Sequence, residues 1–413
     1  MKKENQNTGA LPSDLKIHNR VLVLNAMRDG SLYTAAGIAE TTGISRPTVV
    51  KCIQYFLDRG LVISHGKGES TENGGKKPEL YSFVCQKLLL TVTLWPNLLS
   101  IHLCRMDLKR ITSLRIEGPI KETPEEAFAL IKEKSMEMLA EYQYGVEDLY
   151  GVSLSTSGTI DYSRGLLKYS ANSPGWGTDI PVRKYMQDIF GEEVELIIEN
   201  AGKMSGCSEL NRKDIENKRV LVLFSTWGLS ACLIEKGHVL NGSNSLIGEV
   251  GHMIIDPNDT VQCGCGSFGC AERMLSAEKI RSIIKQNLKK YSRSSLSSIP
   301  IQQIGIETVF KHSAGKDEFA KEIAAYLAKN FAFLVRNISL VFDPDIIVFE
   351  GDYAQADNYF KEMFKNNLAQ FKYYPEGGAF AVEYDRRPLE ELDMEGAFAY
   401  LQRRFFQNEE LYR

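Results

Sequence analysis

The chain of 413 residues contains no apolar run approaching the roughly 18 residues that a membrane-spanning helix requires. Its opening stretch, Met1 to Asp14, is polar and lacks the apolar segment of a secretory signal. Low-complexity segments are missing, and neither sign of charge dominates, with 49 basic against 53 acidic residues. These absences argue against a membrane protein, a secreted scaffold or a disordered tail, and a cytoplasmic protein is expected. With 43% hydrophobic and 25% charged residues the composition is that of an ordinary globular protein, long enough for two or three domains.

Charge is unevenly shared. Residues 1–85 carry 11 Lys and Arg against 8 Asp and Glu, so a mildly basic head precedes an acidic body. Of eight cysteines, Cys52, Cys85, Cys104, Cys207 and Cys232 are scattered singly in apolar stretches and read as small buried residues. Cys263, Cys265 and Cys270 crowd together, and outside an oxidising compartment such crowding points to metal rather than disulfides.

The first eighty residues spell a winged helix-turn-helix. Apolar spacing predicts a helix over His18–Met27, then a second from a Thr34 cap to Thr42. Gly43 permits a tight turn. Ser45 is placed to cap a third helix with Pro47 in its first turn, and Gly60 ends that helix after Arg59. Val49, Val50, Ile53, Phe56 and Leu57 are expected inward, and Ser45, Arg46, Thr48, Lys51 and Tyr55 toward DNA phosphates and base edges. Two strands, Leu61–Ser64 and Leu80–Phe83, flank a glycine-rich basic loop in which Lys67, Lys76 and Lys77 are candidates to track the backbone of double-stranded DNA.

From Leu88 onward strands alternate with helices, an α/β pattern in two lobes with a cleft between them. Strands are expected at 88–94, 99–106, 110–116, 149–155, 194–198, 220–224, 231–235 and 346–349, and helices at 125–142, 182–190, 203–210, 277–289, 316–343 and 395–405. The most specific local pattern is His252 followed by Cys263, Cys265 and Cys270. One imidazole and three thiolates form a closed tetrahedral shell for a structural zinc, with no position left for a reacting water. Glycines at 264, 266 and 269 allow the chain to bend tightly enough for three sulfurs to converge.

Gly248-Glu249-Val250-Gly251-His252 together with Cys263-x-Cys265-Gly266-x-x-Gly269-Cys270-x-Glu272 resembles the two-part signature of the ROK family of repressors, open reading frames and sugar kinases. Gly158-Thr-Ile-Asp161 and Asn172-Ser-Pro174-Gly175-Trp176 are similar to its sugar-lobe loops, and Gly74-Gly75-Lys76-Lys77-Pro78 to its repressors' wing. The resemblance implies an actin-like, ribonuclease-H-like ATPase fold of the sugar-kinase type. Its boundaries would be a tail over 1–14, the winged helix over 15–85, a first lobe over 86–200 and a second over 201–413, with the C-terminal helix returning to the first. It also implies that Asn200, Glu249, His252 and Glu272 hold sugar hydroxyls, with Gly158 and Asn172 on neighbouring loops. Lys203 stands where the family has a small or amide residue, which bears on sugar affinity.

Family kinases place their base in a Glu-Asn-Asp-Ala-Asn segment, whereas this chain reads Glu199-Asn200-Ala201-Gly202-Lys203. A methyl group accepts no proton. The phosphate loops depart as well. The first reads Thr91-Val-Thr-Leu-Trp95-Pro96-Asn97 without glycine, the second carries Trp227, and the third reads Glu350-Gly351-Asp352, adding negative charge. The expectation is a transcription regulator of the repressor kind, without catalytic residues. It would bind operator DNA and a sugar or sugar-phosphate effector as a homo-oligomer, a dimer or tetramer. The alternative is an active ATP-dependent kinase of hexoses or N-acetylhexosamines bearing a DNA-binding head.

Overall fold

The computed structural model describes residues 12–68, 77–119, 122–170, 173–226, 228–371 and 380–413. Among the sites expected from sequence, Lys76, Asn172 and Trp227, with Gly74 and Gly75, lie outside these described residues.

The head is three helices, α1 (Pro12–Ala26), α2 (Ala35–Thr42) and α3 (Arg46–Leu57), with strands β1 (Tyr33–Thr34), β2 (Val62–Lys67) and β3 (Glu79–Phe83) in the order β1-β3-β2. Thr34 caps α2 by accepting from the Gly37 N–H, and Gly43 ends it in the left-handed region (φ +71°). Ser45 precedes α3 without a side-chain cap; its hydroxyl pairs with that of Thr48 at 2.9 Å. Val49, Cys52, Ile53 and Phe56 form the inward face of α3. Val50, expected inward, is 47% exposed, because it lies one position beyond the seam that Val49 and Ile53 define.

Two five-stranded sheets make the body. The first has the order β10-β7-β4-β5-β6, built from β4 (Leu88–Trp95), β5 (Leu98–Arg105), β6 (Arg110–Glu117), β7 (Leu149–Thr156) and β10 (Glu195–Asn200). Helices α4 (Pro124–Glu141) and α5 (Val182–Phe190) cover it, and a small hairpin, β8 (Thr159–Asp161) with β9 (Leu166–Tyr169), stands beside it. The second sheet runs β13-β12-β11-β14-β15, from β11 (Arg219–Ser225), β12 (Leu229–Glu235), β13 (His238–Val239), β14 (Ile346–Gly351) and β15 (Ala381–Tyr384). Both sheets open with antiparallel pairing and add parallel strands through helical crossovers. β4, buried along its whole length, reads as a continuous apolar run broken by two threonines, as a covered strand should.

Short α6 (Ala201–Gly206) sits between the sheets. On the second sheet lie α7 (Ala271–Met274), α8 (Ala277–Gln286), α9 (Leu288–Tyr291), α10 (Ile306–Ser313), α11 (Glu318–Phe342) and α12 (Asn358–Ala369). The last helix, α13 (Leu389–Phe406), returns to pack on β4, β7 and α6. Gly396 makes that approach feasible, since a Cβ there would lie 1.9 Å from the Met204 carbonyl oxygen.

One apolar core joins head to body. Leu24, Met27, Ile53 and Phe56 of the head share it with Leu89, Cys104, Met204, Leu401, Phe405, Phe406 and Tyr412. The Phe83 ring packs against Phe406 at 5.0 Å, and the Gln402 amide donates to the Arg28 and Met106 carbonyls. No described helix is long and apolar enough to cross a membrane.

Candidate functional site

The cysteine loop folds back on itself through two isolated bridges, Ile254 with Cys270 and Gln262 with Phe268. Gly266 (φ +87°) and Gly269 (φ +72°) take left-handed turns, and a Cβ at 269 would lie 1.9 Å from the Asp256 carbonyl oxygen. Gly264 takes no such conformation. The ligand atoms of His252, Cys263, Cys265 and Cys270 all lie within 4.8 Å of one another. His252 Nδ1 is 3.8 Å from Cys263 Sγ, and Cys265 Sγ is 3.6 Å from Cys270 Sγ. Sulfurs bound tetrahedrally at about 2.3 Å stand roughly 3.8 Å apart, so the group suits one metal ion without rearrangement. The Arg273–Asp259 pair at 2.7 Å braces the loop from behind.

The second imidazole nitrogen lies toward Glu249. His252 Nε2 is 3.8 Å from Glu249 Oε2, and both side chains are part-exposed. Burial pushes the Glu249 carboxyl above its ordinary range, and the nearby Glu272 adds to this. Glu272 opens α7 and accepts the Leu229 N–H at 2.9 Å through one oxygen. Across the cleft, Asn200 caps α6 by accepting from Gly202 N–H at 2.9 Å and donates to the Gly158 carbonyl at 2.8 Å. Capping and placement at the cleft are therefore one arrangement. Gly158 (φ +118°) is obligatory, since a Cβ would meet the Tyr169 carbonyl oxygen at 2.4 Å.

Lys203 is the cleft residue whose surroundings the sequence left unread. Its ammonium, 3% exposed as a residue, lies 3.2 Å from Glu199 Oε1, donates to Asn241 Oδ1 and sits 4.4 Å from the Tyr162 ring centre. Asn241 in turn donates to the Tyr400 hydroxyl at 3.1 Å, and the Tyr162 N–H donates to Ser245 Oγ at 3.0 Å. These contacts tie the hairpin of the first lobe to the loop after β13 in the second. The i,i+4 spacing of Glu199 and Lys203 was the one sequence signal for them.

Ala201 is 1% exposed and packs with Trp95 and Leu98 from the β4–β5 turn and with Leu389. That turn thus presents an indole and a leucine to Ala201. In the second loop the Ser225 hydroxyl donates to the Glu350 carbonyl and accepts from Tyr353 N–H. Glu350 corrects an expectation. It is fully buried, receives the Ser205 hydroxyl at 2.5 Å, and burial pushes its carboxyl up to about 8, which favours its neutral form. Asp352 is also raised, to about 6, by burial and by Glu307. A cleft of about 410 Å³ remains beside these loops, bordered by Thr226, Gly228, Glu272, Arg273, Glu278 and Tyr353.

On the head, Ser45, Arg46 and Lys51 are exposed on α3, Thr48 is half-buried, and Lys67 and Lys77 are exposed at the two ends of the wing strands. Tyr55 differs from its expected outward role. Its ring is held between the guanidinium groups of Arg20 (3.3 Å) and Arg59 (3.7 Å), and its hydroxyl donates to the Arg413 carbonyl at 2.5 Å.

The sequence profile of the ROK family matches residues 101–391. The xylose repressor of Caldicellulosiruptor bescii is 23% identical over 363 residues, covering 86% of this chain and 87% of its own. The DNA-binding transcriptional dual regulator NagC of Escherichia coli is 24% identical over 332 residues, 78% and 77% of the two chains. A glucokinase of Halalkalibacterium halodurans is 26% identical over 230 residues, 54% of this chain and 68% of its own. Among solved structures, a ROK family transcriptional regulator described as a homolog of the E. coli MLC protein superposes with a TM-score of 0.74 at 17% identity, covering 95% of this chain and 97% of that one. The ROK hexokinase of Thermus thermophilus superposes with a TM-score of 0.62 at 19% identity, over 77% of this chain and 99% of its own.

Proposed function

The chain belongs to the ROK family, and from that premise we propose that it is a sugar-responsive transcription regulator, a repressor, rather than a kinase. The observation that carries this reading is Ala201, sealed under Trp95 and Leu98 at the position where a sugar kinase needs a carboxylate and room for phosphate. The xylose repressor and the NagC regulator match 86% and 78% of its length, against 54% for the glucokinase, which supports the same conclusion.

In this reading α3 enters the major groove of an operator, with Ser45, Arg46, Thr48 and Lys51 at base edges and phosphates and with Lys67, Lys76 and Lys77 along the backbone. The sugar sits between Asn200, Glu249, His252 and Glu272, near Gly158 and Asn172, because carboxylates and amides pair with adjacent hydroxyls. Zinc held by His252, Cys263, Cys265 and Cys270 is structural and fixes the imidazole that faces the sugar. α13 links site to head: one face touches α6, which Asn200 caps, and its end packs against Phe83. Sugar binding would favour one closure of the lobes and so one stance of the head, by its difference in affinity for the two states. Paired heads on a palindromic operator imply a homodimer or a dimer of dimers, acting in the cytoplasm.

Two assays on the full chain test this together. A gel shift at low salt with DNA from its own promoter region is expected to show retention that a cognate sugar alters. A coupled assay with ATP and a panel of hexoses and N-acetylhexosamines is expected to show no turnover above blank, and clear phosphorylation would establish the kinase instead.

A further inference from the structure

Between β5, β6 and the first half of α13 lies a cavity of about 810 Å³, lined by none of the metal-group or cleft residues described above. We propose that it is a ligand site in its own right, and that it takes a zwitterion with an apolar body, the chemistry of an apolar amino acid or a short peptide.

Four charged side chains border the cavity: Arg110, Glu390, Glu391 and Glu395. Arg115 holds Glu390 at 2.9 Å and Arg387 holds Glu395 at 2.6 Å. Arg110 and Glu391 are left as the bordering charges without an ion pair among the described residues, and both are exposed. Arg110 Nη1 meets only the weakly accepting Met394 Sδ, 3.6 Å away. A guanidinium in this state is free for bidentate capture of a carboxylate, and the Glu391 carboxylate for an ammonium. With the other two carboxylates neutralised, the uncommitted charge sums to zero. A ligand carrying one charge of each sign is therefore complementary where a simple anion or cation is not.

The rest of the lining is largely apolar, with Leu108, Met394 and Phe398 offering a surface for the ligand's body. His102, 6% exposed, also borders it. Its Nδ1 pairs with Ser113 Oγ at 2.8 Å, while Nε2 is buried without a partner. Burial, with Arg110 nearby, pushes this imidazole down to about 4, so it is neutral and Nε2 has one hydrogen bond to give or take. A buried polar atom without a partner is costly, and a ligand group that reaches it recovers that cost. Leu108 takes a left-handed conformation (φ +64°) that leucine rarely adopts, and strain of this kind collects at ligand-binding positions. Leu108 and Phe398 also belong to the apolar core that joins head to body, so a ligand here would touch that joint.

Titration calorimetry on the full chain tests this with leucine, methionine and phenylalanine, their di- and tripeptides, and the N-acetyl and C-amide form of each, which remove one charge at a time. At least one free zwitterion is expected to bind, and each of its capped forms at least about tenfold more weakly, through loss of one charge-assisted contact. Whether the amino acid or its peptides bind tighter distinguishes the two sources. Arg110→Ala and Glu391→Gln should each weaken the free form by at least about tenfold, with melting temperatures close to wild type because both side chains are exposed. Absence of binding by every free amino acid and peptide overturns the inference, as does binding that neither capping nor Arg110→Ala alters. Neither residue lies in the sugar cleft or the metal group, so either result leaves the sugar-responsive reading as it stands.

Discussion

The Tyr55 hydroxyl, on the third helix of the head, donates to the carbonyl of Arg413, the last residue of the chain, at 2.5 Å. Arg20 reinforces the junction by donating to the Tyr412 carbonyl at 2.7 Å, and the Tyr412 ring packs edge-on against Phe56. Tyr412 is therefore part of the head's core. Tyr412→Ala should lower stability by about 3–5 kcal/mol, as large aromatic truncations in cores do. Tyr55→Phe should lower it by about 1 kcal/mol. Urea denaturation measures both. Operator affinity of folded Tyr55→Phe should change less than about twofold; a large loss of DNA binding with unaltered stability would return Tyr55 to the DNA face.

On the head's outer surface, Arg46→Ala and Lys51→Ala should each weaken operator binding by about 1–3 kcal/mol if they reach base edges. Lys67→Ala and Lys77→Ala should weaken all DNA sequences alike and reduce the salt dependence by about one counterion each. Val50 is exposed on the same helix, and if α3 enters a major groove it would be available as an apolar contact for a thymine methyl. Val50→Asp should abolish retention without unfolding the head. Fluorescence anisotropy across a salt series separates these outcomes.

The fold was legible in the sequence where local pattern and burial agree. The runs 88–94 and 149–155 became β4 and β7 within a residue or two, and Thr34 and Gly43 bounded α2 as their chemistry requires. Unread in the sequence were α10, α12 and β15, although Ile306, Val309 and Phe310 in α10 and Phe360, Phe364 and Leu368 in α12 have helical spacing; β15 has only four residues to carry a pattern. The contacts of the Tyr55 hydroxyl could not be read, because Leu411 and Arg413 lie more than 350 positions away. The metal group could be read because its spacing is itself the signal. The Lys203 network could not, since Asn241, Tyr162 and Tyr400 come from three separate elements.

The His252, Cys263, Cys265 and Cys270 group predicts one equivalent of zinc per chain by elemental analysis. Cys270→Ser or a strong chelator should lower the melting temperature, with recovery on adding zinc to the wild type. Because His252 Nε2 faces Glu249, removing the metal should also weaken any sugar that binds, beyond the loss of stability. Retention of full sugar affinity in metal-free, folded protein would separate the two sites.

Restoring the carboxylate alone should not restore a kinase. In Ala201→Asp the new side chain would be placed against Trp95 and Leu98, a surface that favours its neutral form. The expected outcome in the coupled ATP assay is turnover indistinguishable from blank, with stability reduced by about 1–3 kcal/mol for an unpaired buried polar group. Measurable phosphorylation by this single variant would mean that Trp95 leaves more room for phosphate than its packing indicates.

Two buried carboxyls set the pH dependence of stability. Asp393 on α13 receives the Thr93 and Ser155 hydroxyls, and burial pushes its carboxyl up to about 7; Glu350 is pushed to about 8. In the unfolded chain both titrate near 4. At these two sites the folded protein therefore holds more protons than the unfolded chain between about pH 4 and 8, and their contribution to stability falls as pH rises through that window; buried His102, lowered to about 4, acts oppositely between about pH 4 and 6.5. Each group contributes a slope of up to roughly 1.4 kcal/mol per pH unit, fading once it ionises in the fold. Asp214 and Asp317, held down to about 2 chiefly by hydrogen bonds that outweigh their desolvation, act oppositely and lose their contribution below about pH 4. Asp393→Asn should flatten the slope between pH 5 and 7 by about one proton's worth while keeping a partner for Thr93. Urea midpoints across pH 4–8 for wild type and variant measure the difference, and parallel curves would show that Asp393 is already ionised in the folded protein.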